Sequence, residues 1–263
     1  MSRPVILAVT NQKGGVGKTT TSINLAYSLA KDKKKKVLLI DFDPQGNATS
    51  GLGINKTDLQ ATVLDVIHGE SSISDVSIKT NYKNLSLVPA TSQLANAEVE
   101  LAKAEHRFTR LKDALSDTEG YDYVIIDSPP SLSLLTVNGL IAAHYVLLPV
   151  QAEFYALEGL GQLLETIQLV RKGMNPTLEI LGVLVTMLDS RTTLSGQVYE
   201  EIKKHFPGKV FETTIPRNVR IAEAPSHGEP VGTYDRWCKG TRAYRSLAEE
   251  VNKRMIQARG DAS

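Results

Sequence analysis

The segment that most constrains the fold is the glycine-rich stretch NQKGGVGKTTT at residues 11–21. It follows a short apolar run and precedes a helical pattern, so the local order is strand, glycine loop and helix. That order is typical of the phosphate-binding unit of nucleotide-binding α/β proteins. The backbone amides around Gly14, Gly15 and Gly17, together with the unpaired N–H groups at the helix start, are therefore expected to hold phosphate oxygens.

The spacing of this stretch departs from the usual phosphate-loop pattern G-x-x-x-x-G-K-[ST] at its first position. Counting back five residues from the glycine before Lys18 gives Gln12, and a second lysine, Lys13, follows it. Lys18 is predicted to bind the β- and γ-phosphates, and the Thr19 hydroxyl is predicted to bind Mg²⁺. A dinucleotide-binding loop is excluded because Thr20 occupies the position of its third glycine.

Short apolar runs alternate with helical patterns along the chain, which predicts βαβ units. We expect a single α/β domain over residues 1–263, without an N-terminal helix-turn-helix extension. Its centre is predicted to be a mostly parallel, twisted sheet of about seven to eight strands with helices on both faces. The predicted strands are PVILAVT, KVLLIDFD, LSLVPA, YDYVIIDSPP, HYVLLPV, LEILGVLVTML and KVFETTIP. The predicted helices cover residues 18–31, 92–118, 131–142, 157–173, 192–205 and 240–258.

Composition excludes several classes of protein. The chain has 263 residues, 41% of them hydrophobic and 22% charged, which is typical of a soluble globular protein. The single cysteine, Cys238, allows no internal disulfide and no cysteine-ligated zinc or iron–sulfur cluster. Neither a signal peptide nor a long apolar segment is apparent, so we expect a cytoplasmic protein.

Three carboxylates are candidates for metal or water chemistry. Asp41 and Asp43 end one predicted strand, and Asp127 ends another. The carboxyl ends of parallel strands form the edge of the sheet at which open α/β folds bind ligands. Alternation along the chain places Asp41 and Asp43 on the same side, where both could approach one magnesium–phosphate centre. A simple polar turn at Asp43-Pro44 is the alternative for that pair.

Several boxes resemble a known family. KGGVGKTT at residues 13–20 is similar to the deviant Walker A box K-G-G-x-x-K-[ST] of the ParA/MinD group of P-loop ATPases. The boxes DFDPQGNATSGLG, YDYVIIDSPPSL, IPRNVRIAEAPSHGEPV and YRSLAEEV resemble those of the Soj/ParA chromosome and plasmid partition ATPases. The resemblance extends from residue 4 to about residue 255.

The resemblance implies an ATPase with ATP and Mg²⁺ as cofactors. The catalytic residues that it implies are Lys13, Lys18 and Asp43. Lys13 is expected to reach the nucleotide of a partner subunit, and Asp43 to orient the attacking water. Thr19, Asp127 and, through water, Asp41 become the metal-binding residues. The implied nucleotide-binding residues are Lys13, Gly14, Gly15, Val16, Gly17, Lys18, Thr19 and Thr20 at the phosphates, and Met187, Pro216 and Asn218 at the base.

The resemblance also implies partners. ATP is expected to drive formation of a homodimer that binds DNA non-specifically on the nucleoid, and a ParB/Spo0J-type protein is expected to stimulate slow hydrolysis. Arg191 and Arg220 match the arginines used for this binding, while Arg217, Lys239, Arg242 and Arg245 are weaker candidates. For each cation taken singly, a solvated surface charge is the alternative.

The sequence is also compatible with two other functions. A MinD-like, membrane-associated positioning ATPase would need an amphipathic C-terminal helix. The C-terminal segment contains Glu249 and Glu250 and no Phe or Trp, which favours packing against the core, so no stable membrane association is expected. A metabolic or metal-cluster relative, such as an iron protein or an amide-forming ligase, is the other alternative.

Overall fold

Seven strands form one sheet in the computed structural model, which describes residues 3–153 and 160–260. The strands are β1 (Val5–Val9), β2 (Val37–Asp41), β3 (Ile78–Lys79), β4 (Leu85–Val88), β5 (Tyr123–Asp127), β6 (Tyr145–Gln151) and β7 (Glu179–Thr186). Their order is β3-β4-β2-β5-β1-β6-β7, and every neighbouring pair is parallel except β3 and β4. The predicted α/β fold class is therefore confirmed.

Helices cover both faces of this sheet. They are α1 (Lys18–Asp32), α2 (Asn47–Gly51), α3 (Val63–His68), α4 (Ile73–Val76), α5 (Ala97–Glu100), α6 (Arg110–Leu115), α7 (Leu134–Ala142), α8 (Leu160–Gly173), α9 (Thr193–His205), α10 (Val219–Glu223), α11 (Val231–Tyr234) and α12 (Lys239–Gly260). Short 3₁₀ helices lie at Lys56–Asp58, Ser92–Asn96 and Ala224–His227. No helix in the described ranges is long and apolar enough to span a bilayer.

The core consists of two apolar layers, one on each face of the sheet. Ile6 and Ala8 of β1 belong to one layer, which α3, α6, α7, α8 and α9 cover, whereas Leu7 and Val9 belong to the layer under α1, α2, α11 and α12. This division follows from the alternation of side chains along a strand. Because both faces are covered, the central strands are continuous apolar runs.

Three details differ from the predicted elements. The run KVFETTIP forms no strand: Val210 and Pro216 make only isolated bridges to β7 and the loop after it. The backbone N–H groups of Glu212 and Thr213 donate instead to the carboxylate of Glu250 on α12, at 2.9 and 3.0 Å. The two-residue strand β3, an antiparallel edge, was not predicted, because so short a strand leaves no periodic pattern.

The predicted helix over 92–118 was also wrong in its extent. It is divided into a 3₁₀ helix, α5 and α6, with turns between them. His106 has a φ of +60°, and a non-glycine residue in this left-handed conformation interrupts a right-handed helix. The other predicted helices are present with shifted ends, although residues 157–159 of the predicted helix 157–173 lie outside the described residues.

The register of the sheet brings the candidate site together. Asp127 at the end of β5 is the Cα partner of Val9 at the end of β1 and of Asp41 at the end of β2. The glycine loop begins directly after β1. The register of the strands alone therefore brings the loop and two of the three candidate carboxylates to the same edge of the sheet.

Candidate active site

The glycine loop is anchored on one side and open on the other. Thr186, the last residue of β7, donates its hydroxyl to the Val16 carbonyl at 2.8 Å, and the Val16 side chain is buried. Gly15 and Gly17 have φ values of +76° and +86°, which residues with a Cβ rarely adopt. A Cβ at Gly14 or Gly15 would meet no protein atom within 4 Å. The open side is thus available for a group that approaches the backbone closely, as a phosphate does.

The two lysines of the loop point to different partners. Lys18, the first residue of α1, is buried, and its Nζ donates to the backbone carbonyl of Lys13 at 2.9 Å. Burial lowers the pKa of Lys18, while the nearby charges of Asp127 and Asp43 oppose this effect. The Lys13 side chain is exposed and forms an ion pair with Glu153, with Nζ 3.2 Å from Oε2. Lys18 is therefore held inside the loop and Lys13 outside it.

Asp127 is a buried carboxylate with incomplete hydrogen bonding. Its Oδ1 accepts a hydrogen bond from Ser22 Oγ at 2.8 Å, whereas Oδ2 has no donor among the described residues. Burial, together with the charge of Asp41, raises the pKa of Asp127 to about 8, although the nearby hydroxyls of Thr19 and Ser22 oppose the rise. A buried oxygen without a donor is costly, unless a cation or water completes its shell.

Asp41 and Asp43 differ in how they are satisfied. Asp41 Oδ2 accepts hydrogen bonds from the Thr49 backbone N–H at 2.7 Å and from the Thr49 hydroxyl at 2.6 Å. Burial raises the pKa of Asp41 to about 6 despite these bonds. Asp43 is also buried, and its Oδ1 accepts one hydrogen bond, from the Gln45 N–H at 2.9 Å. Asp43 therefore keeps more accepting capacity for a ligand or a water.

These groups form an oxygen-only donor set that fits Mg²⁺. The Thr19 hydroxyl, the free oxygen of Asp127 and the carboxylate of Asp41 are hard ligands of the kind that Mg²⁺ prefers. In the described ranges, no group of three or more Asp, Glu, His or Cys residues is placed to hold a metal ion by itself. A site for Mg²⁺ here would need ligands from a phosphate group and from water, as is usual for this ion.

A cavity of about 330 Å³ begins beside the glycine loop. Its lining includes two residues of the loop and of α1, Gly17 and Thr20. It also includes all three predicted base-contacting residues, Met187, Pro216 and Asn218. Two loops enclose it and are joined by a hydrogen bond of 3.0 Å from the Leu188 N–H to the Ile215 carbonyl and by the Leu188–Pro216 bridge. The structure thus brings the predicted base-contacting residues together, next to the predicted phosphate site.

The predicted DNA-contacting cations lie on these same loops and on the helices that follow. Arg191 forms two hydrogen bonds with the Asp189 carboxylate, at 2.9 and 2.7 Å. Arg220 pairs with Glu223 at 2.9 Å and with Asp235 at 3.6 Å. We call the set Arg191, Arg217, Arg220, Lys239 and Arg242 the basic surface.

The remaining candidates differ in their pairing. Arg217, Lys239 and Arg242 are exposed and form no ion pair within the described parts of the chain. Arg245, the weakest candidate, lies 3.5 Å from Asp32 and is directed toward α1. The two strongest candidates, Arg191 and Arg220, are therefore the most heavily paired with carboxylates in the single chain.

Four contacting side chains were missed from the sequence. Thr49 holds Asp41, Ser22 holds Asp127, Thr186 holds the glycine loop and Glu153 holds Lys13. Ser22 lies one helical turn after Lys18, so the spacing of α1 could have identified it. The others join positions far apart in the chain, and no local pattern marks them.

The chain is similar to several known proteins over most of its length. Residues 5–180 match the family model AAA_31, described as an AAA domain. The chain is 56% identical over 247 residues to the sporulation initiation inhibitor protein Soj of Bacillus subtilis, covering 94% of this chain and 97% of Soj. It is 51% identical over 252 residues to the chromosome partitioning protein ParA of Caulobacter vibrioides, covering 95% and 94%.

A solved structure with bound ligands is similar over almost the same length. It is that of cobyrinic acid a,c-diamide synthase from Mycobacterium smegmatis with a bound ATP analogue and magnesium. The TM-score is 0.82 at 40% identity, covering 94% of this chain and 93% of that one. Taken with the two curated relatives, these findings show that the chain belongs to the Soj/ParA family of chromosome-partitioning ATPases.

Proposed function

We propose that the chain binds ATP with Mg²⁺ at the glycine loop and hydrolyses it in a cycle of dimerisation and non-specific DNA binding that segregates DNA. The observation that carries this proposal is the arrangement at the sheet edge. An open glycine loop, a buried lysine and a buried, incompletely bonded carboxylate adjoin a cavity of about 330 Å³. This arrangement supports phosphate, metal and base sites in the order that a nucleoside triphosphate requires.

The metal and the phosphates would be held by separate groups. Thr19 and Asp127 would hold Mg²⁺, with Asp41 contacting its water shell from the rigid position that Thr49 imposes. The ion, when bound, supplies positive charge to the β- and γ-phosphate oxygens. Lys18 is buried, so its ammonium acts in a site of low dielectric constant where each charge interaction is strong.

Asp43 is the residue proposed to orient the attacking water. It is buried at the same edge and accepts one backbone hydrogen bond, which leaves lone pairs free to accept from water. It lies two residues beyond β2, and its charge acts on Lys18 of the loop, whereas Asp41 is already engaged by Thr49. Alignment of the water with the γ-phosphate is the main contribution expected of a protein group in phosphoryl transfer.

Lys13 is proposed to act across a dimer. In the single chain its ammonium is exposed on the outer side of the loop, in an ion pair with Glu153. A triphosphate brought opposite by a second subunit would carry more negative charge than one carboxylate, so Lys13 would transfer to it. A cation supplied in trans stabilises the charge of the transition state. In the arginine-finger systems it raises the rate of hydrolysis by about 10³–10⁵-fold. Closure of the dimer would then depend on ATP.

The basic surface is the proposed DNA contact. It carries no element that reads bases, and cations that contact phosphates bind without sequence preference. A dimer doubles the number of contacts, and each phosphate neutralised adds about 0.9 to the salt slope of the binding constant. ATP-dependent dimerisation therefore becomes a switch for binding to the nucleoid.

The partner proposed to reset the switch is a centromere-binding protein of the ParB/Spo0J type. The support is the relationship to proteins named for chromosome partitioning. Stimulated hydrolysis would return the dimer to single chains and release the DNA. We expect the chain to act in the cytoplasm at the nucleoid.

Gel filtration of an Asp43→Ala variant tests the core of the proposal. With ADP the variant should elute as a single chain, and with ATP as a trapped dimer, because hydrolysis is blocked after binding. Single chains under both conditions would contradict the dimer mechanism. Asp117→Asn, which changes an exposed carboxylate far from the loop, is the matched control and should not trap a dimer.

Two observations bear on the alternatives. Leu247, Val251 and Met255 of α12 are buried against the core, so the apolar face that a membrane-binding helix needs is already covered. The structural similarity to a diamide synthase keeps an amide-forming activity in view. ATP hydrolysis that requires an added small carboxylic acid, and not DNA or a protein partner, would favour that activity.

A further inference from the structure

Trp237 is a large aromatic side chain on the surface with no role in the site described above. It is the single tryptophan of the chain and is 72% exposed. It lies between α11 and α12, two residues before Lys239 and five before Arg242 of the basic surface. Scattered exposed aliphatic residues are common, but an indole left in water next to several cations needs an explanation.

The backbone that carries this indole is well fixed. The Asp235 carboxylate accepts hydrogen bonds from the N–H groups of Trp237 and Cys238, at 3.0 and 3.1 Å. The Thr241 hydroxyl bonds to the carbonyls of Asp235 and Val231, at 2.6 and 3.1 Å. We call residues 235–238 the Trp237 turn. The ring is therefore presented from an ordered turn rather than from a free loop.

The surroundings of the indole are cationic. The Arg236 guanidinium lies 4.7 Å from the centre of the ring. Arg236, Lys239 and Arg242 have no carboxylate partner in the parts of the chain that the structure describes. The nearby Asp235 carboxylate is occupied by two backbone amides and by Arg220. A surface that combines an aromatic ring with free cations is complementary to a polyanion that also offers flat apolar groups, as nucleic acids do.

We propose that Trp237, supported by Arg236, is a DNA-contacting residue. Its indole packs on deoxyribose and base edges in a groove of the duplex, while Lys239 and Arg242 contact the flanking phosphates. This inference rests on the proposed DNA-binding function and adds to it a contact that is not a charge. A lipid surface is a poorer match because the apolar face of α12, directly after the turn, is buried in the core.

The Trp237 turn is also joined to the nucleotide site. Ile221 of α10 lines the cavity of about 330 Å³, and a Cβ at Gly240 would lie only 2.5 Å from Ile221 Cγ1. Arg220, the neighbour of Ile221, reaches Asp235 of the turn at 3.6 Å. The five-residue helix α10 thus contributes one residue to the cavity wall and another to the contact with the Trp237 turn.

The single tryptophan makes the contact directly measurable. Its emission in the full-length protein should shift or be quenched when duplex DNA is added with Mg²⁺ and ATP, and should change little when the same DNA is added with ADP. DNA binding that is seen by filter retention but leaves the emission unchanged would overturn the inference and leave the proposed function standing. No DNA binding by either method would contradict the proposed function itself.

Salt dependence separates an aromatic contact from a charged one. Trp237→Ala should weaken DNA binding by roughly tenfold and leave the salt slope unchanged, whereas Lys239→Ala should reduce the slope by about 1.8, because the dimer loses one phosphate contact in each subunit. Trp237→Phe, which keeps a flat ring, should recover most of the affinity. Leu169→Ala removes another exposed apolar side chain, on α8, and is the control that should bind DNA normally.

Two outcomes of this series would oppose the inference. If Trp237→Ala binds DNA as tightly as the parent protein, the indole does not contact the duplex. If the emission responds to anionic vesicles and not to DNA, the turn binds lipid instead. Gel filtration with ATP verifies that each variant still folds and dimerises, so a loss of DNA binding can be assigned to the contact.

Discussion

The phosphate-loop edge and the basic surface are both charged, but they hold their charges in different ways. At the loop, Lys18, Asp41 and Asp127 are buried, and each has defined partners from the fold. On the basic surface, Arg191 is 84% exposed on its side chain, and its partner Asp189 lies only two residues away. The first region is organised before any ligand arrives, while the second consists of side chains that can exchange partners.

This difference has an energetic basis. A buried charge without a partner is strongly unfavourable, so the loop edge must be organised by the fold itself or completed by ligands. An exposed ion pair contributes little, so its partners are replaced readily when a polyanion approaches. Changes at the loop edge should therefore have large effects on catalysis and stability, whereas changes on the basic surface should have graded effects on affinity.

Lys18→Ala should have the largest effect. Removing the buried ammonium that we propose binds the phosphates should lower the ATPase rate by about 10³-fold or more. The rate is measured as phosphate release with saturating Mg²⁺ and ATP. Lys112→Ala, which removes an exposed lysine on α6, should retain the parent rate. Near-normal turnover by the Lys18 variant would remove the loop from the proposed mechanism.

Lys13→Ala should show a smaller effect with a different signature. Because Lys13 is exposed and paired with Glu153, its loss should leave ATP binding to the single chain intact. The ATP-dependent dimer should be lost, and turnover should fall by about 10²- to 10³-fold. Fluorescent-nucleotide titration and gel filtration distinguish the two steps. Loss of binding and dimerisation together would place Lys13 in its own subunit's site.

Asp127→Asn tests the stability of the loop edge. Because burial raises the pKa of Asp127 to about 8, the stability that the protonated carboxyl contributes is fully present below about pH 3.8. It is lost as the pH rises through 8. The amide mimics the protonated form, so at pH 8, without Mg²⁺ or nucleotide, the variant should melt about 5 °C higher than the parent.

The pH dependence of this difference is the informative result. At pH 5 the two proteins should melt within about 1–2 °C of each other, because this pH is little above 3.8, where the unfolded carboxyl ionises, and most of the contribution remains. Thermal unfolding followed by circular dichroism at both pH values gives the comparison. Asp117→Asn, at an exposed position, should show no such difference. A variant that is less stable at pH 8 would mean that the ionised carboxylate has partners in the apo protein.

The loop edge was also the region that the sequence predicted best. Its glycines, Lys18 and Thr19 are adjacent in the chain, and Asp41 and Asp127 end apolar strands whose parallel register brings them together. Pattern and topology therefore sufficed for the predicted fold class and for placing these groups. The pairing of Lys13 with Glu153 joins residues 140 positions apart, and no local rule indicates it.

The region around the base cavity also contains contacts between distant residues that the sequence does not indicate. Met187, Pro216 and Asn218 line one cavity, although the run before Pro216 is not a strand. Its backbone is held by the Glu250 carboxylate of α12, a side-chain contact that replaces sheet hydrogen bonds. Sequence patterns report which segments are apolar, but they do not report which distant side chain satisfies a backbone amide.

Asp189→Asn should have the smallest effect and probes the basic surface. The Arg191 hydrogen bonds keep the pKa of Asp189 well below its usual range, so the carboxylate is ionised at all working pH values. Removing that charge frees Arg191 and reduces repulsion of phosphate, so DNA affinity should rise about two- to threefold at low salt and hardly at all at high salt. Arg191→Ala should do the reverse and lower the salt slope by about 1.8, because each subunit of the dimer loses one phosphate contact. Fluorescence anisotropy of a labelled duplex across a salt series measures both variants. If Arg191→Ala keeps the parent slope, Arg191 lies outside the DNA interface. Lys239 and Arg242 would then be the cations of the basic surface that contact DNA.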